Sequence, residues 1–386
     1  MPKKLFILLL VFMLLISGCG RNTNNDNSDA VSGSESSGET SSDVSSDPVD
    51  EYAKSIISEM SLEEKVGQLF FVRLRKDMAI DDINTYHVGG FIMYAIDFEN
   101  EDKASVTALI AGFQAASKLP LLIGVDEEGG TVTRVSRYSA FRDSKFLSPQ
   151  ELYNSGGFEQ IKSDTIEKSR LLLGLGINVN LAPVADVSTN PTDFIYQRSL
   201  GKDAHQTAEY VKTVVTVMKN ENIGSVIKHF PGYGNNEDTH TGIAIDERDY
   251  NTFVNSDFIP FTAGIENGTG AVMISHNVVK CMDGDKPASL SEKVIGILRN
   301  DLGFDGVVMC DDLGMDAIKK YTGDNNAAVL AVMAGNDMLL GSNFVTYIPA
   351  VIKAVEDGVI PVERIDEAVL RVLKWKISLG LIKIEN

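Results

Sequence analysis

The chain has 386 residues with 54 acidic against 35 basic side chains, a formal net charge of −19. That balance excludes a surface built to hold nucleic acid or an anionic membrane, and it describes a solvated body large enough for one closed α/β barrel. Cys19, Cys281 and Cys310 show no CxxC or other metal-ligand spacing, so no thiolate metal centre or disulfide framework is expected, and Cys281 and Cys310 read as free thiols.

The chain opens with Lys3-Lys4, an apolar run from Leu5 to Ile16, and Ser17-Gly18-Cys19. An apolar core of that length is a secretory leader and is short for a membrane span. Ile16-Ser17-Gly18-Cys19 resembles the bacterial lipobox, which implies cleavage before Cys19 and lipidation of its sulfur. The following stretch to about Asp50 is Asn, Ser, Gly, Asp, Glu and Thr with almost nothing to bury. As a coil of about 30 residues it spans roughly 30 Å. Residues 1–18 are thus expected to be a lipoprotein signal peptide, 19–50 a lipidated cysteine with a flexible linker, and 51–386 one folded domain. The expected location is extracytoplasmic, with membrane contact only through the lipid anchor.

Folding is expected to begin near Glu51, with Ser61-Leu62-Glu63-Glu64 as a capping box that starts a helix. Apolar runs then follow at Leu69–Val72, Val88–Met93, Leu121–Val125, Val179–Val184, Ser225–Ile227, Ala271–Ile274, Gly306–Met309 and Met338–Leu340. Between and after them lie helical patterns at Ala104–Ser117, Glu159–Leu173, Thr207–Lys219, Glu292–Leu302, Ala327–Ala334, Val345–Glu356 and, behind Pro361, Val362–Leu379. Eight continuous apolar strands alternating with helices predict an α/β fold, a (β/α)8 TIM-type barrel. A doubly wound open sheet shares the alternation and stays open as the alternative.

In a barrel, chemistry sits where the strands end. The third run ends in Asp126-Glu127-Glu128-Gly129-Gly130 with Arg134 close behind, and the fourth in Ala185-Asp186 with Arg198 in its loop. The fifth ends in Lys228-His229 and a loop carrying Asp238 and His240, the sixth in Ser275-His276, and the seventh in Asp311-Asp312. Any one of these is ordinarily a solvated loop charge or a helix cap, Asp312 being a natural cap for the next helix. Gathered at one end they describe a pocket of donors, acceptors and carboxylates that fits a polyhydroxylated ligand such as a sugar.

Lys228-His229-Phe230-Pro231-Gly232, Asp238-Thr239-His240, Val125-Asp126-Glu127-Glu128-Gly129-Gly130 and Cys310-Asp311-Asp312-Leu313-Gly314-Met315 together resemble glycoside hydrolase family 3, in its β-N-acetylglucosaminidase branch, from about Ser61 to Leu379. The resemblance implies that Asp311 is the catalytic nucleophile, His240 the acid/base and Asp238 its paired carboxylate. It implies that Asp126, Arg134, Arg198, Lys228 and His229 hold the hydroxyls of a terminal N-acetylglucosamine. It implies no cofactor and no metal; Asp238, His240 and His229 have the residue types of metal ligands but lack HExxH or comparable spacing. Two positions depart from the branch pattern: Tyr233 stands where KHFPGHG has its second histidine, and Thr239 where Asp-Ser-His has serine.

The resemblance thus implies a retaining glycosidase in which Asp311 forms a glycosyl ester and His240 gives and then takes a proton. A histidine that has given its proton is neutral, which suits substrates with an anionic leaving group, such as peptidoglycan fragments, and leaves room for phosphate in place of water. The expected activity is an exo-β-N-acetylglucosaminidase of peptidoglycan fragments, acting as a monomer on carbohydrate. The alternatives are a β-glucosidase or chitooligosaccharide hydrolase of the family, an N-acetylglucosaminide phosphorylase, and a sugar-binding lipoprotein without catalysis.

Overall fold

A computed structural model describes residues 47–236, 238–239, 242–322 and 327–384. The expected leader at 1–18, the lipidated Cys19, the tether up to Ser46, and His240 lie outside the described residues.

The barrel strands are β1 Phe70–Arg73, β2 Gly90–Met93, β3 Leu122–Val125, β4 Val179–Asn180, β5 Gly224–Phe230, β6 Ala271–Ile274, β7 Val307–Cys310 and β8 Met338–Gly341. All pair in parallel and close in the order β1-β8-β7-β6-β5-β4-β3-β2. Closure is made by Phe71, which lies opposite Gly90 of β2 on one side and Leu340 of β8 on the other. This is the (β/α)8 barrel, and the open-sheet alternative is set aside.

Strand alternation separates two cores. Phe71, Ile92, Leu122, Val179, Val226, Ala271, Met273, Val307, Met309, Met338 and Leu340 fill the barrel interior, while Val272, Ile274, Val308, Cys310 and Leu339 face the surrounding helices. Runs buried on both faces are why these strands read as unbroken apolar stretches. Each fully buried large side chain contributes about 1.5–3 kcal/mol.

The floor is closed by the helix Val362–Ser378, whose Trp375 joins the interior cluster. A Cβ on Gly270 would lie 2.0 Å from the indole Nε1, so only glycine fits there. Beside it Lys376 is fully buried and donates to Gln68 Oε1 at 2.6 Å, and burial lowers its pKa to about 7.

Helix starts follow local chemistry. Ser61 and Glu64 cap each other's backbone N–H groups, as do Ser148 and Glu151. The latter pair opens a helix at Pro149 that runs to Gly174 with a break at Gly156-Gly157, so the expected Glu159–Leu173 is only its second part. Asp47 caps a helix over Pro48–Ser58, which begins earlier than Glu51. Glu292–Leu302 is an α-helix to Gly296 and then a π-helical turn over Ile297–Asp301. Among the described residues no helix is long and apolar enough to cross a membrane.

Two strand limits differ from expectation. β4 stops at Asn180 because Pro183 has no N–H for a ladder, and pairing resumes only as an isolated bridge between Val184 and Lys228. β5 does not stop at Ile227 but runs through Lys228 and His229 to Phe230, and its register with β6 shifts between Lys228 and Phe230. Regular alternation would send one of those two polar side chains outward; across this irregularity both are buried and bonded to residues at the barrel mouth.

Candidate active site

The adjacent acids after β3 have separate tasks. Glu127 accepts the backbone N–H of Arg134 at 2.7 Å and of Val135 at 2.8 Å, together with the Ser136 hydroxyl, and so pins the loop. Its own peptide is held to Asn180 of β4 through bonds of 2.9 and 3.0 Å. Glu128 faces the mouth, where Arg198 grips it in a fork at 3.0 and 2.7 Å and Lys228 Nζ lies 2.7 Å away. Burial pushes the Glu128 carboxyl up, but Arg198 and Lys228 outweigh it and hold it well below the usual carboxylate range.

Lys228 also donates to Asp126 at 2.8 Å, and Arg134 reaches the other oxygen of Asp126 at 3.4 Å. A lysine this deep keeps its charge because two carboxylates enclose it. Its side chain is 2% exposed, against 15% for Asp126, 17% for Arg198 and 24% for Arg134, so a ligand entering the mouth meets the last three first.

His229 is locked from both sides. Asp186 Oδ2 lies 2.8 Å from Nδ1, and Arg198, which can only donate, lies 3.3 Å from Nε2. The ring therefore carries its hydrogen on Nδ1 and accepts at Nε2. Asp186 also takes the backbone N–H groups of His229 at 3.1 Å and Tyr233 at 2.7 Å.

On the opposite wall, Asp311 extends the ladder one residue past β7, its N–H donating to Ile274 O at 3.0 Å, and its Oδ1 accepts the Asp312 N–H at 2.8 Å. Asp312 caps a turn rather than a helix, accepting the Gly314 N–H at 2.8 Å. Its carbonyl lies 3.0 Å from His276 Nε2, and Ser289 meets the other nitrogen of that ring at 2.7 Å. Burial, partly offset by the Gly314 bond and reinforced by Asp311, raises the Asp312 pKa. Tyr94, just beyond β2, feels charge from both walls: burial first, then the charges of Asp126, Asp312 and Asp311, push its phenol up, and Arg73 lies 4.4 Å over its ring.

The loop that leaves β5 carries Asp238, which is half-buried; His240 is outside the described residues. Both ends of the loop meet at Arg248. It bonds Gly232 O at 3.0 Å on the outgoing side, Asp246 at 2.7 Å on the return, and Asp257 at 3.0 Å beneath. Burial raises the Asp257 pKa to about 6 against the pull of Arg248. At Gly232, where φ is +121°, a Cβ would sit 2.3 Å from Asp257 Oδ1, which fixes glycine in the PG step.

The expected ligand-holding residues Asp126, Arg134, Arg198, Lys228 and His229 thus form one connected network, with Asp311 on the facing wall. Glu128 and Asp186 are strand-end acids without an expected task, and they prove to orient Arg198, Lys228 and His229. Tyr94 had the same signal, a polar group immediately after an apolar run. Arg248 had none. Cys281 and Cys310 are free, as expected. Among the described residues no three His, Cys, Asp or Glu side chains converge as metal ligands.

The family description "Glycosyl hydrolase family 3 N terminal domain" matches residues 61–375. The chain is 31% identical over 332 residues to the β-hexosaminidase LpqI of Mycobacterium tuberculosis, covering 82% of this chain and 83% of that protein. It is 32% identical over 267 residues to a β-hexosaminidase of Nitrosomonas eutropha, covering 66% of this chain and 74% of the other. Among solved structures, a family 3 β-N-acetylglucosaminidase from Paenibacillus sp. superposes with a TM-score of 0.78 at 32% identity, over 84% of this chain and 65% of that longer one. The structure of M. tuberculosis LpqI gives a TM-score of 0.75 at 30% identity, over 83% of this chain and 95% of the other. With the closed barrel and the strand-end site, these likenesses establish that the chain is a glycoside hydrolase of family 3.

Proposed function

We propose that this hydrolase is a retaining exo-β-N-acetylglucosaminidase that removes terminal N-acetylglucosamine from peptidoglycan fragments outside the cytoplasmic membrane, where Cys19 anchors it. The observation that carries the proposal is the network of Asp126, Glu128, Lys228, Arg198 and His229 facing Asp311 across the barrel mouth. The names of the β-hexosaminidase relatives agree with it.

In the proposed reaction the sugar lies on Asp126, Arg134, Arg198, Lys228 and His229, with its anomeric carbon toward Asp311. Asp311 attacks that carbon while the bond to the leaving oxygen breaks, and His240 gives that oxygen its proton. Water then attacks the same anomeric carbon as His240 takes a proton back, the bond from that carbon to Asp311 breaks, and Asp311 leaves as carboxylate. Asp238 orients the imidazole and favours its protonated form. The Asp312 N–H bonded to Asp311 Oδ1 steadies the carboxylate before attack.

The test is hydrolysis of an aryl β-N-acetylglucosaminide beside the matching glucoside, by the native enzyme and by Asp311→Ala. Turnover of the N-acetylglucosaminide that is lost in the variant is expected. Equal turnover by both proteins, none by either, or a preference for glucoside counts against the proposal. Mass spectrometry of digested peptidoglycan, with and without phosphate, identifies the fragment released and separates hydrolysis from phosphorolysis.

A further inference from the structure

Tyr233 and Thr239 are the two positions at which this chain departs from the branch pattern, and their hydroxyls are bonded to each other. Both residues are buried, at 1% and 0% exposure. The Tyr233 backbone N–H donates to Asp186 Oδ1 at 2.7 Å, and its ring stands edge-on to His229 with centroids 5.2 Å apart. On the outer side Phe194 packs at 5.8 Å. Tyr233 is therefore fixed at one end to the two residues that lock each other on the sugar-binding wall. Its other end holds the residue lying between Asp238 and His240 in the chain.

From this geometry we infer that Tyr233 and Thr239 form a latch that ties the loop at Thr239 to the Asp186–His229 pair and so supports the proton transfer proposed for the neighbouring His240. The inference rests on the proposed role of His240 as acid/base. A buried phenol requires a hydrogen-bond partner, and the Thr239 hydroxyl supplies it. The β-branch of threonine restricts its side-chain rotation, so it holds that hydroxyl in place more firmly than serine. Burial, and after it the charge of Asp311, push the phenol's pKa up, so the group stays neutral through the working range. Neither residue donates a proton to substrate; both are positioning residues for the one that does.

The experiment measures kcat/KM on two N-acetylglucosaminides, a phenyl one that needs proton assistance to leave and a dinitrophenyl one that does not. Variants are Tyr233→Phe, Thr239→Val, the double variant, Thr239→Ser and His240→Ala. On phenyl substrate Tyr233→Phe and Thr239→Val are each expected to lose about tenfold, with less than about a twofold loss on dinitrophenyl substrate. The double variant loses no more than either single one, and Thr239→Ser keeps most of the activity because it keeps the hydroxyl. A merely structural contact would lower both substrates alike together with Tm, and that result, or no loss on either, overturns the latch. His240→Ala separates the two levels: leaving-group selectivity there but not in Tyr233→Phe removes only the latch. Its absence in His240→Ala removes the acid/base assignment and the latch with it.

Discussion

The two halves of the site are built differently. The proposed sugar-binding half stands on β3, β4 and β5, where Asp126, Glu128, Lys228, Arg198 and His229 are each held by two partners in the barrel mouth and Arg134 reaches Asp126. The loop between Pro231 and Asp249 is tied down by Arg248, by the pairing of Ile245-Asp246 with Val278-Val279, by Asn236 on Asp246 and by Tyr233 on Thr239, and it leaves Ile243 and Ile245 exposed. On the proposed assignment, ligand recognition rests on a lattice of paired charges that water cannot easily rearrange, whereas proton delivery rests on a loop in which the Tyr233–Thr239 hydroxyl pair can be removed singly.

Substitutions can break this contrast, and the largest expected effect lies on the facing wall. Asp311→Ala should lower kcat by about 10⁴-fold or more with little change in Tm, as steady-state hydrolysis and a melting curve would show. Next, Glu128→Gln leaves Arg198 and Lys228 against a neutral amide and should cost about 3–5 kcal/mol in denaturant unfolding. The sign with pH follows from its lowered pKa. The stabilisation is complete above the unfolded carboxylate value of about 4.3 and is lost as pH falls through the folded value, so native and variant curves should converge in acid.

A loss confined to chemistry is expected from the loop. His240→Ala should reduce kcat/KM on a poor leaving group by about a hundredfold while unfolding free energy stays within about 0.5 kcal/mol, sharpening the contrast with Glu128. At the floor the readout is a slope with pH rather than a loss of activity. Because burial depresses the Lys376 pKa to about 7, the unfolded chain binds more protons there between about pH 7 and 10, so native stability gains from rising pH across that window. Lys376→Met should flatten that slope, read from Tm at several pH values.

Much of this was legible in the sequence. The eight strands were, because burial on both faces leaves runs that are apolar apart from Asn180 and Ser225. Asp126, Asp186 and Asp311 were visible as the first polar residues after such runs. Lys228 and His229 were found but misplaced: they look like the end of a strand, and the strand passes through them. What permits that is Asp126 and Glu128, about a hundred positions earlier, which neutralise a lysine inside the ladder. Glu127 and Glu128 are the same residue type side by side, and only the fold assigns one to loop backbone and the other to guanidinium and ammonium. Arg248 is one more arginine in a charged stretch until the return of the loop brings it beneath Gly232.

Trp375 under the barrel is the single tryptophan of the sequence. The indole emission of this protein therefore comes from one place, the underside opposite the mouth. Its wavelength and intensity will follow whether the cylinder is shut at its base and will be indifferent to what occupies the top. Unfolding can be watched in that single optical channel without added dye, while sugar binding calls for a reporter placed elsewhere, with Phe194 beside Tyr233 a natural position for one.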